Sequence, residues 1–311
     1  MIETTDLTKR YGDVTAVEGL DLEVDRGEIH GFVGPNGAGK TTTMQMLVGL
    51  IDPTGGEAYV DGEPAGSIAA KQAIGYAPQD PAFYESMTGR GYLEYMGRTA
   101  GMDGDVRDRA DELLEWLELS DAANQAVEGY SGGMKRRLGL AQAMIHEPDL
   151  LILDEPTAEL DPSGRQAIIE SLEDLTEEGM TVFVSSHVLA ELEQFIDTVT
   201  ILYEGQLVES GAIEDVQSKY GGESFAVETS DDERVHTLLD GQPWVRSVEL
   251  DEDGLVVASD DPDRFRTELQ GLLADEAIML QSLQEAGGLE EAFADVVASN
   301  GDVDGDRGEE P

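Results

Sequence analysis

The chain has 311 residues, of which 40% are hydrophobic, enough to bury the cores of one large and one small domain. It carries 67 acidic residues against 19 lysines and arginines, a formal net charge of −48, and only five of these cations are lysines. Such a surface repels nucleic acid, and the lack of cysteine excludes disulfides and thiolate metal sites. Because the acids are spread along the whole chain, we interpret them as a halophilic adaptation: molar salt shortens the Debye length to about 3 Å and screens self-repulsion.

The longest apolar runs, at 150–153 and 181–184, have the length of strands. They fall far short of the roughly 20 residues that cross a bilayer. Residues 1–10 contain acids and lack the apolar region of a secretory signal. We therefore expect a protein that stays in the cytoplasm.

Residues 1 to about 218 alternate strands and helices, with glycine and proline at the turns. The predicted strands of the opening segment are 2–7, 14–17, 20–24 and 28–33, and a helix at 41–50 closes in a turn at Gly55-Gly56. The region from about 82 to 147 is predicted to be helical. The strands at 150–153 and 181–184 bracket a helix at 163–178, and this β-helix-β unit predicts a parallel sheet.

The pattern changes near residue 222 to β-α-β-β-α-β. The predicted strands are 224–228, 245–250, 255–258 and 278–283, and the predicted helices are 232–239 and 262–274. This order predicts a small ferredoxin-like α+β domain over residues 222–298. It ends in a helix at 289–297, and the acidic tail at 299–311 is predicted to be disordered.

A glycine-rich segment follows the strand at 28–33 and matches the phosphate-loop pattern G-x-x-x-x-G-K-[ST]. Its glycines let backbone N–H groups surround phosphate oxygens, and the helix N-terminus adds positive potential. Lys40 is predicted to reach the β and γ phosphates of ATP, and Thr41 to offer a hydroxyl to Mg²⁺. The nucleotide-binding candidates of this segment are Gly34, Pro35, Asn36, Gly37, Ala38, Gly39, Lys40, Thr41 and Thr42.

The apolar strand at 150–153 runs into two acids, Asp154 and Glu155. Carboxylates at the end of a buried strand are costly unless they meet a cation or water. Asp154 suits the coordination shell of Mg²⁺, and Glu155 can polarise an attacking water as general base. Such a strand alone could be a capped strand end, but its pairing with a phosphate loop favours the catalytic interpretation.

Ser131, Gly132 and Gly133 begin a helix that runs to about residue 146, and flexible glycines at a helix N-terminus form a second anion site. The run from Tyr130 to Met134 resembles the signature motif of ABC ATPases, although Tyr130 and Met134 replace the commonest leucine and glutamine. In that family the motif binds the γ phosphate held by the opposite subunit. The cations at 135–137 that follow could form a solvated face or contact a partner, and we favour the solvated face.

Further residues match the family in its usual order. The resemblance implies that Tyr11 stacks on adenine, that Gln79 contacts Mg²⁺ and the attacking water, and that His187 hydrogen-bonds the γ phosphate. The segment Glu159-Leu160-Asp161-Pro162 resembles the D-loop, with Glu159 where a small residue is usual. On sequence alone Tyr11 could be a sheet tyrosine and His187 a structural histidine.

The resemblance covers residues 1–218 and implies an α/β phosphate-loop ABC ATPase core with an antiparallel β subdomain and a helical subdomain at about 82–147. It implies the ATP-hydrolysing subunit of an ABC transporter at the cytoplasmic face of the membrane. The partners are a separate membrane-spanning permease, with a helix in a groove near residues 79–95, and a second cassette, most simply in a homodimer. The C-terminal portion, including the run 289–293, resembles drug-exporter-type cassettes.

Two other functions are compatible with a phosphate loop. Repair members of the family insert a long coiled coil and translation members carry tandem cassettes, and this sequence has neither. A small-molecule kinase would leave Ser131-Gly132-Gly133 and His187 unexplained.

Overall fold

The computed structural model describes residues 1–158, 160, 162–187, 192–220, 223–250, 254–259, 261–276 and 278–285. The chain forms two compact units that divide between Gly211 and Ala212. Several predicted features lie outside the described residues, namely Glu159 and Asp161, the helix at 289–297 with its run 289–293, and the tail at 299–311. Within the described ranges, every helix is too short or too polar to cross a membrane.

The first unit alternates strands and helices, as its sequence predicts. In chain order it contains β1 (Ile2–Tyr11), β2 (Val14–Leu20), β3 (Glu23–Val24), β4 (Ile29–Val33), α1 (Lys40–Leu47), β5 (Gly55–Val60), β6 (Glu63–Pro64), α2 (Ile68–Ala73), β7 (Ile74–Ala77), α3 (Gly89–Thr99), α4 (Val106–Trp116), α5 (Gly132–Met144), β8 (Leu150–Asp154), α6 (Pro162–Glu177), β9 (Thr181–Ser186), β10 (Thr198–Tyr203) and β11 (Gln206–Ala212).

An antiparallel sheet contains the first strands in the order β2-β1-β5-β6, with β3 paired to β1. The turn predicted at Gly55-Gly56 is wrong, because β5 begins at Gly55. Gly56 adopts a φ of 73°, and a Cβ there would lie 2.1 Å from the carbonyl oxygen of Asp6. The glycine pair therefore allows β5 to approach β1 closely. In the sequence alone, a glycine pair needed for such packing cannot be told from one needed for a turn.

A second sheet has the strand order β11-β10-β4-β9-β8-β7. The pairs from β10 to β7 are parallel, as the β-helix-β pattern predicts. The strands β4, β8 and β9 are buried along their whole length, as is typical of a parallel sheet covered on both faces. Helices α3, α4 and α5 fall within the predicted helical region.

The second unit contains α7 (Ile213–Tyr220), β12 (Glu223–Thr229), α8 (Asp232–Leu239), β13 (Ser247–Leu250), β14 (Leu255–Ser259), α9 (Pro262–Asp275) and β15 (Leu280–Glu285). Its strands form an antiparallel sheet in the order β13-β14-β12-β15. The core of this unit includes Phe225 and Phe265, whose rings stack with centroids 4.3 Å apart. The unit therefore has an apolar core of its own.

Candidate functional site

The topology of the parallel sheet brings the predicted chemical residues to one edge. Strands β4, β9, β8 and β7 are consecutive neighbours and parallel, so their carboxyl ends meet at that edge. The glycine-rich loop follows β4, His187 follows β9, Glu155 follows β8 and Gln79 lies two residues after β7. In open α/β sheets this edge is where ligands bind.

The glycine-rich loop is held close to neighbouring backbone. A Cβ on Gly34 would lie 2.2 Å from the carbonyl oxygen of Leu202, and a Cβ on Gly39 would lie 2.5 Å from that of Ala16. Gly39 also adopts a φ of 107°, in the region that favours glycine, as the N-cap of α1. The loop therefore turns directly into a helix, and the first N–H groups of a helix have no partner within it, so they can bind a ligand.

Lys40 is the first residue of α1, and its side chain is 6% exposed. Its Nζ donates to the carbonyl oxygens of Gly34 at 2.5 Å and Pro35 at 3.2 Å. Burial lowers the pKa of Lys40 from its usual value, and the negative charges of Glu155 and Asp154 partly oppose that shift. The result is a desolvated cation at the base of the loop, where phosphate oxygens can replace the carbonyls as partners.

Asp154 and Glu155 are linked by Ser185, the β9 residue paired with Asp154. The fully buried Ser185 hydroxyl donates to Asp154 Oδ1 at 2.7 Å and accepts from the Glu155 N–H at 3.0 Å. Glu155 has a φ of 50°, an unusual value for a residue other than glycine, so this bond helps to hold a strained backbone.

The second oxygen of Asp154, Oδ2, is buried and has no hydrogen-bond partner among the described residues. An unpaired carboxylate oxygen is costly in a buried site. A hard cation would satisfy it, and oxygen ligands are those that Mg²⁺ prefers. The residues present therefore fit the predicted metal.

Glu155 lies at the centre of a small cluster of polar and charged side chains. Its Oε2 accepts from the Gln79 side-chain amide at 3.3 Å and from His187 Nδ1 at 2.9 Å, and its Oε1 lies 3.9 Å from Lys40 Nζ. The contact with Glu155 assigns the proton of a neutral His187 to Nδ1, which leaves Nε2 for a ligand. Three predicted residues, Lys40, Gln79 and His187, thus meet at the carboxylate of a fourth, Glu155.

Ser131 caps α5, the helix that carries the predicted second anion site. Its Oγ accepts from the Met134 N–H at 3.2 Å, and Ser131 itself is exposed. The hydrogen bond that the structure describes for this side chain is therefore within its own helix and does not join it to the phosphate loop. The unusual Tyr130 is 6% exposed and donates its hydroxyl to the Ala122 carbonyl at 2.8 Å, which anchors the motif in the helical region.

Tyr11 and Thr41 are two further candidates with exposed side chains. Tyr11 ends β1 and is 49% exposed, and Lys9 Nζ lies 5.0 Å from the centre of its ring. Thr41 follows Lys40 in the first turn of α1. The contacts that unite Lys40, Gln79, Glu155 and His187 do not extend to these two side chains among the described residues.

The expectation that residues 135–137 form a solvated face is wrong. Lys135 pairs with Glu85 at 2.7 Å, and Arg137 donates to Leu117 O and Glu118 Oε2, each at 3.2 Å. The Arg136 guanidinium donates to the carbonyl oxygen of Gln79 and, at 3.4 Å, to that of Ala158. Sequence reasoning missed the contacts of Arg136 and of Ser185, because no local pattern tells which distant atom a polar side chain will meet.

Known proteins with similar sequences and structures point to one family. The family model described as ABC transporter matches residues 17–158. The chain is 39% identical to the linearmycin resistance ATP-binding protein LnrL of Bacillus subtilis, over 72% of this chain and 73% of that protein. It is 35% identical to the Nod factor export ATP-binding protein I of Burkholderia lata, over 94% of this chain and 95% of that protein.

The fold is also found in a solved structure described as a dimeric post-hydrolysis state of the ATP-binding cassette MJ0796 bound to ADP and Pi. The TM-score is 0.63 at 26% identity, over 68% of this chain and 98% of that one. The antiparallel sheet and the parallel sheet of the first unit agree with these similarities. This chain belongs to the ABC transporter ATP-binding subunits, a family of ATPases that couple ATP hydrolysis to transport.

Proposed function

We propose that this protein is the ATP-hydrolysing subunit of an ABC exporter and drives a separate membrane permease at the cytoplasmic face of the membrane. The observation that carries the proposal is the convergence of Lys40, Gln79 and His187 on Glu155 beside the phosphate loop. Export is favoured over import because the similar proteins include a resistance protein and an export protein.

Each residue of the site has a proposed role. Gly34 to Thr42 enclose the phosphates of ATP, with Lys40 as their buried cation, and Tyr11 offers its exposed ring to the adenine. Thr41, Gln79 and Asp154 hold Mg²⁺, which neutralises charge on the phosphates when it is bound. Glu155 accepts the proton of the attacking water, and His187 and Gln79 hold its carboxylate in place.

The second half of each site comes from another cassette. Ser131, Gly132 and Gly133 present a helix N-terminus, of which Ser131 and Gly132 are exposed in the single chain. The solved relative bound to ADP and Pi is described as dimeric. We therefore propose that two copies of this chain enclose two ATP molecules, each copy contributing its signature motif to the other's γ phosphate. A homodimer is the simplest arrangement that uses one phosphate loop and one signature motif.

An aromatic groove is the proposed contact with the permease. It has a volume of about 550 Å³, and its lining includes Pro81, Phe83 and Tyr84, which follow Gln79. Tyr84 and Tyr95 are 57% and 43% exposed, respectively. A permease helix with an apolar face fits this groove. Because Phe83 and Tyr84 lie only four and five residues after Gln79, movement of that helix would displace Gln79 as well.

The division into functional domains is also a proposal. Residues 1–218 form the cassette, 222–298 a ferredoxin-like domain and 299–311 an acidic tail. The element order β-α-β-β-α-β and the antiparallel strand order β13-β14-β12-β15 support the ferredoxin-like assignment. Because each chemical motif precedes residue 219, we assign the second domain to regulation or dimer support.

The experiment is a comparison of the wild type with Lys40→Ala. The variant should lose ATP hydrolysis and bind nucleotide much more weakly, because a methyl group cannot replace a buried cation that faces phosphates. The wild type should also co-purify with a multispanning membrane protein in high salt. Wild-type turnover by the variant would refute the site, and co-purification with nucleic acid instead would favour a repair or translation factor.

A further inference from the structure

We propose that Arg136 is a positioning residue that connects the signature helix to the water-activating residues of the same chain. Its guanidinium donates to the main-chain carbonyls of Gln79 and Ala158, which lie on two different loops of the catalytic edge. This proposal rests on the roles of Gln79, Glu155 and Ser131 given above.

The first contact fixes the loop that carries Gln79. Arg136 donates to the main-chain oxygen of Gln79, while the side-chain amide of the same residue donates to Glu155 Oε2 at 3.3 Å. Holding the backbone of Gln79 restricts where its amide can lie. Lys135, the preceding residue of α5, adds a contact 2.7 Å from Glu85 on the same segment.

The second contact fixes the turn that contains Glu155. The N–H of Ala158 donates to the carbonyl oxygen of Glu155 at 3.2 Å and closes the turn, and the carbonyl of Ala158 accepts from Arg136 at 3.4 Å. Glu155 begins this turn with the unusual φ of 50°. The hydrogen bond from Arg136 to Ala158, at the far end of the turn, therefore helps to keep Glu155, the general base, in place.

Arginine suits this position better than any other residue. Its planar fork has five N–H donors and stays charged, so one side chain can serve two carbonyls on separate loops. Arg136 is half-buried, and it lines a small cavity together with Leu140, Leu153 and Pro156. The apolar neighbours support the stem of the side chain and limit its alternatives.

The link continues to the signature motif through one rigid helix. Arg136 lies five residues after Ser131, so about 7.5 Å of α5 separates them at a rise of about 1.5 Å per residue. When a γ phosphate of the opposite site binds at Ser131, a shift of α5 would displace Gln79 and the Glu155 turn directly. Occupancy of one site would thus set the geometry of the water-activating residues in the other.

The test uses the full chain in about 2 M KCl, which screens its surface charge. We expect Arg136→Met to lower kcat roughly tenfold, since small misplacements of catalytic groups have effects of this order. The Kd for a fluorescent ATP analogue should change less than twofold, because the phosphate loop keeps its contacts. Arg136→Lys, which keeps the charge and one donor group, should recover part of kcat. In the non-hydrolysing Glu155→Gln background, Arg136→Met should still form the ATP-dependent dimer.

The matched control is Arg109→Met. Arg109 also donates to a main-chain carbonyl of α5, that of Met144 at 3.4 Å, but at the far end of the helix. Its kcat should stay within twofold of wild type. An equal loss of kcat in Arg109→Met, or an unchanged kcat in Arg136→Met, would overturn the proposal by showing that Arg136 has no special effect on catalysis.

A double-mutant cycle with Gln79→Ala separates this inference from the proposed function. If Arg136 acts through Gln79, the double variant should lose much less kcat than the product of the two single losses. Fully multiplicative losses would overturn the coupling while leaving the role of Gln79 intact. A normal kcat in Gln79→Ala would instead refute the role of Gln79, and a low kcat in Arg136→Met would then support action through the Ala158 turn. Should Arg136→Met fail to fold, the same cycle with Arg136→Lys decides the matter.

Discussion

Ser185→Ala tests whether one hydroxyl holds the two acids of the catalytic edge together. The substitution removes a donor to Asp154 Oδ1 and an acceptor for the Glu155 N–H, both in a fully buried position. Losing one hydrogen bond to a charged group and leaving a buried N–H unpaired should cost about 2–4 kcal/mol in the free energy of unfolding. Melting temperature should fall by roughly 5–12 °C for a unit of this size.

Catalysis should suffer as well. Glu155 has a strained backbone that Ser185 helps to hold, so we expect kcat to fall roughly tenfold while the Kd for ATP changes little. The assay combines thermal melting in high salt with Mg-ATP turnover. The control is Ser171→Ala, which removes only a bond to the preceding turn of α6 and should shift the melting temperature by less than about 2 °C. Equal melting temperatures and turnover for the two variants would refute this reasoning.

Three further predictions concern the fold and its surroundings. A truncated protein ending at Lys219 should fold and bind ATP, because each chemical motif precedes that residue. A well-folded truncated protein that fails to bind nucleotide would show that the domain division is wrong. The melting temperature should fall by more than about 10 °C when KCl is lowered from about 2 M to about 0.05 M, because the charge of −48 is then poorly screened. An unchanged melting temperature would refute the halophilic interpretation. Burial lowers the pKa of His146 in the folded protein from its usual 6.5, so the unfolded chain binds a proton more readily than the folded one. The stability that the neutral ring contributes is therefore present above pH 6.5 and is lost as pH falls below it. His146→Gln should therefore flatten the fall in melting temperature between pH 7 and pH 5, and an unaltered slope would count against this assignment.

Much of the site at the carboxyl ends of β4, β8 and β9 can be predicted from the sequence, because short local motifs indicate its chemistry. The spacing from Gly34 to Thr41 and the acids after an apolar strand each carry their own physical reason, and parallel strands place their carboxyl ends together. The family resemblance implies that Gln79 contacts Mg²⁺ and water and that His187 contacts the γ phosphate. The structure shows both side chains hydrogen-bonded to Glu155, and their roles toward the ligands stay predictions. The phosphate loop and the two acids are predicted from residue types and the strands they follow, whereas Gln79 and His187 are predicted only from the family resemblance.

The rest depends on contacts between distant segments. Strand β7 has four residues, and its Gly75 is required because a Cβ there would lie 2.2 Å from the carbonyl oxygen of Ala143 on α5. Nothing in the neighbouring sequence reveals that approach, and the strand was not predicted. Arg136 was misjudged for the same reason: three adjacent cations resemble a solvated surface until the loop at Gln79 is in position.

We expect ATP to join two copies of this chain across shared sites, and Glu155→Gln tests this most directly. The substitution keeps the size of the side chain but removes the carboxylate that we propose accepts the proton of water. Lys40, Thr41, Asp154 and the loop amides are retained, so ATP should still bind and recruit the Ser131 of a second copy.

The measurement is size-exclusion chromatography with light scattering in high salt, with and without Mg-ATP. Glu155→Gln should form a dimer only with Mg-ATP, and adding Ser131→Arg should return it to a monomer because a bulky side chain then blocks the phosphate of the partner. The wild type, which hydrolyses the shared ligand, should be mostly monomeric under the same conditions. A Glu155→Gln protein that binds ATP and remains a monomer would contradict the shared site, and one that hydrolyses ATP at the wild-type rate would exclude Glu155 as the general base.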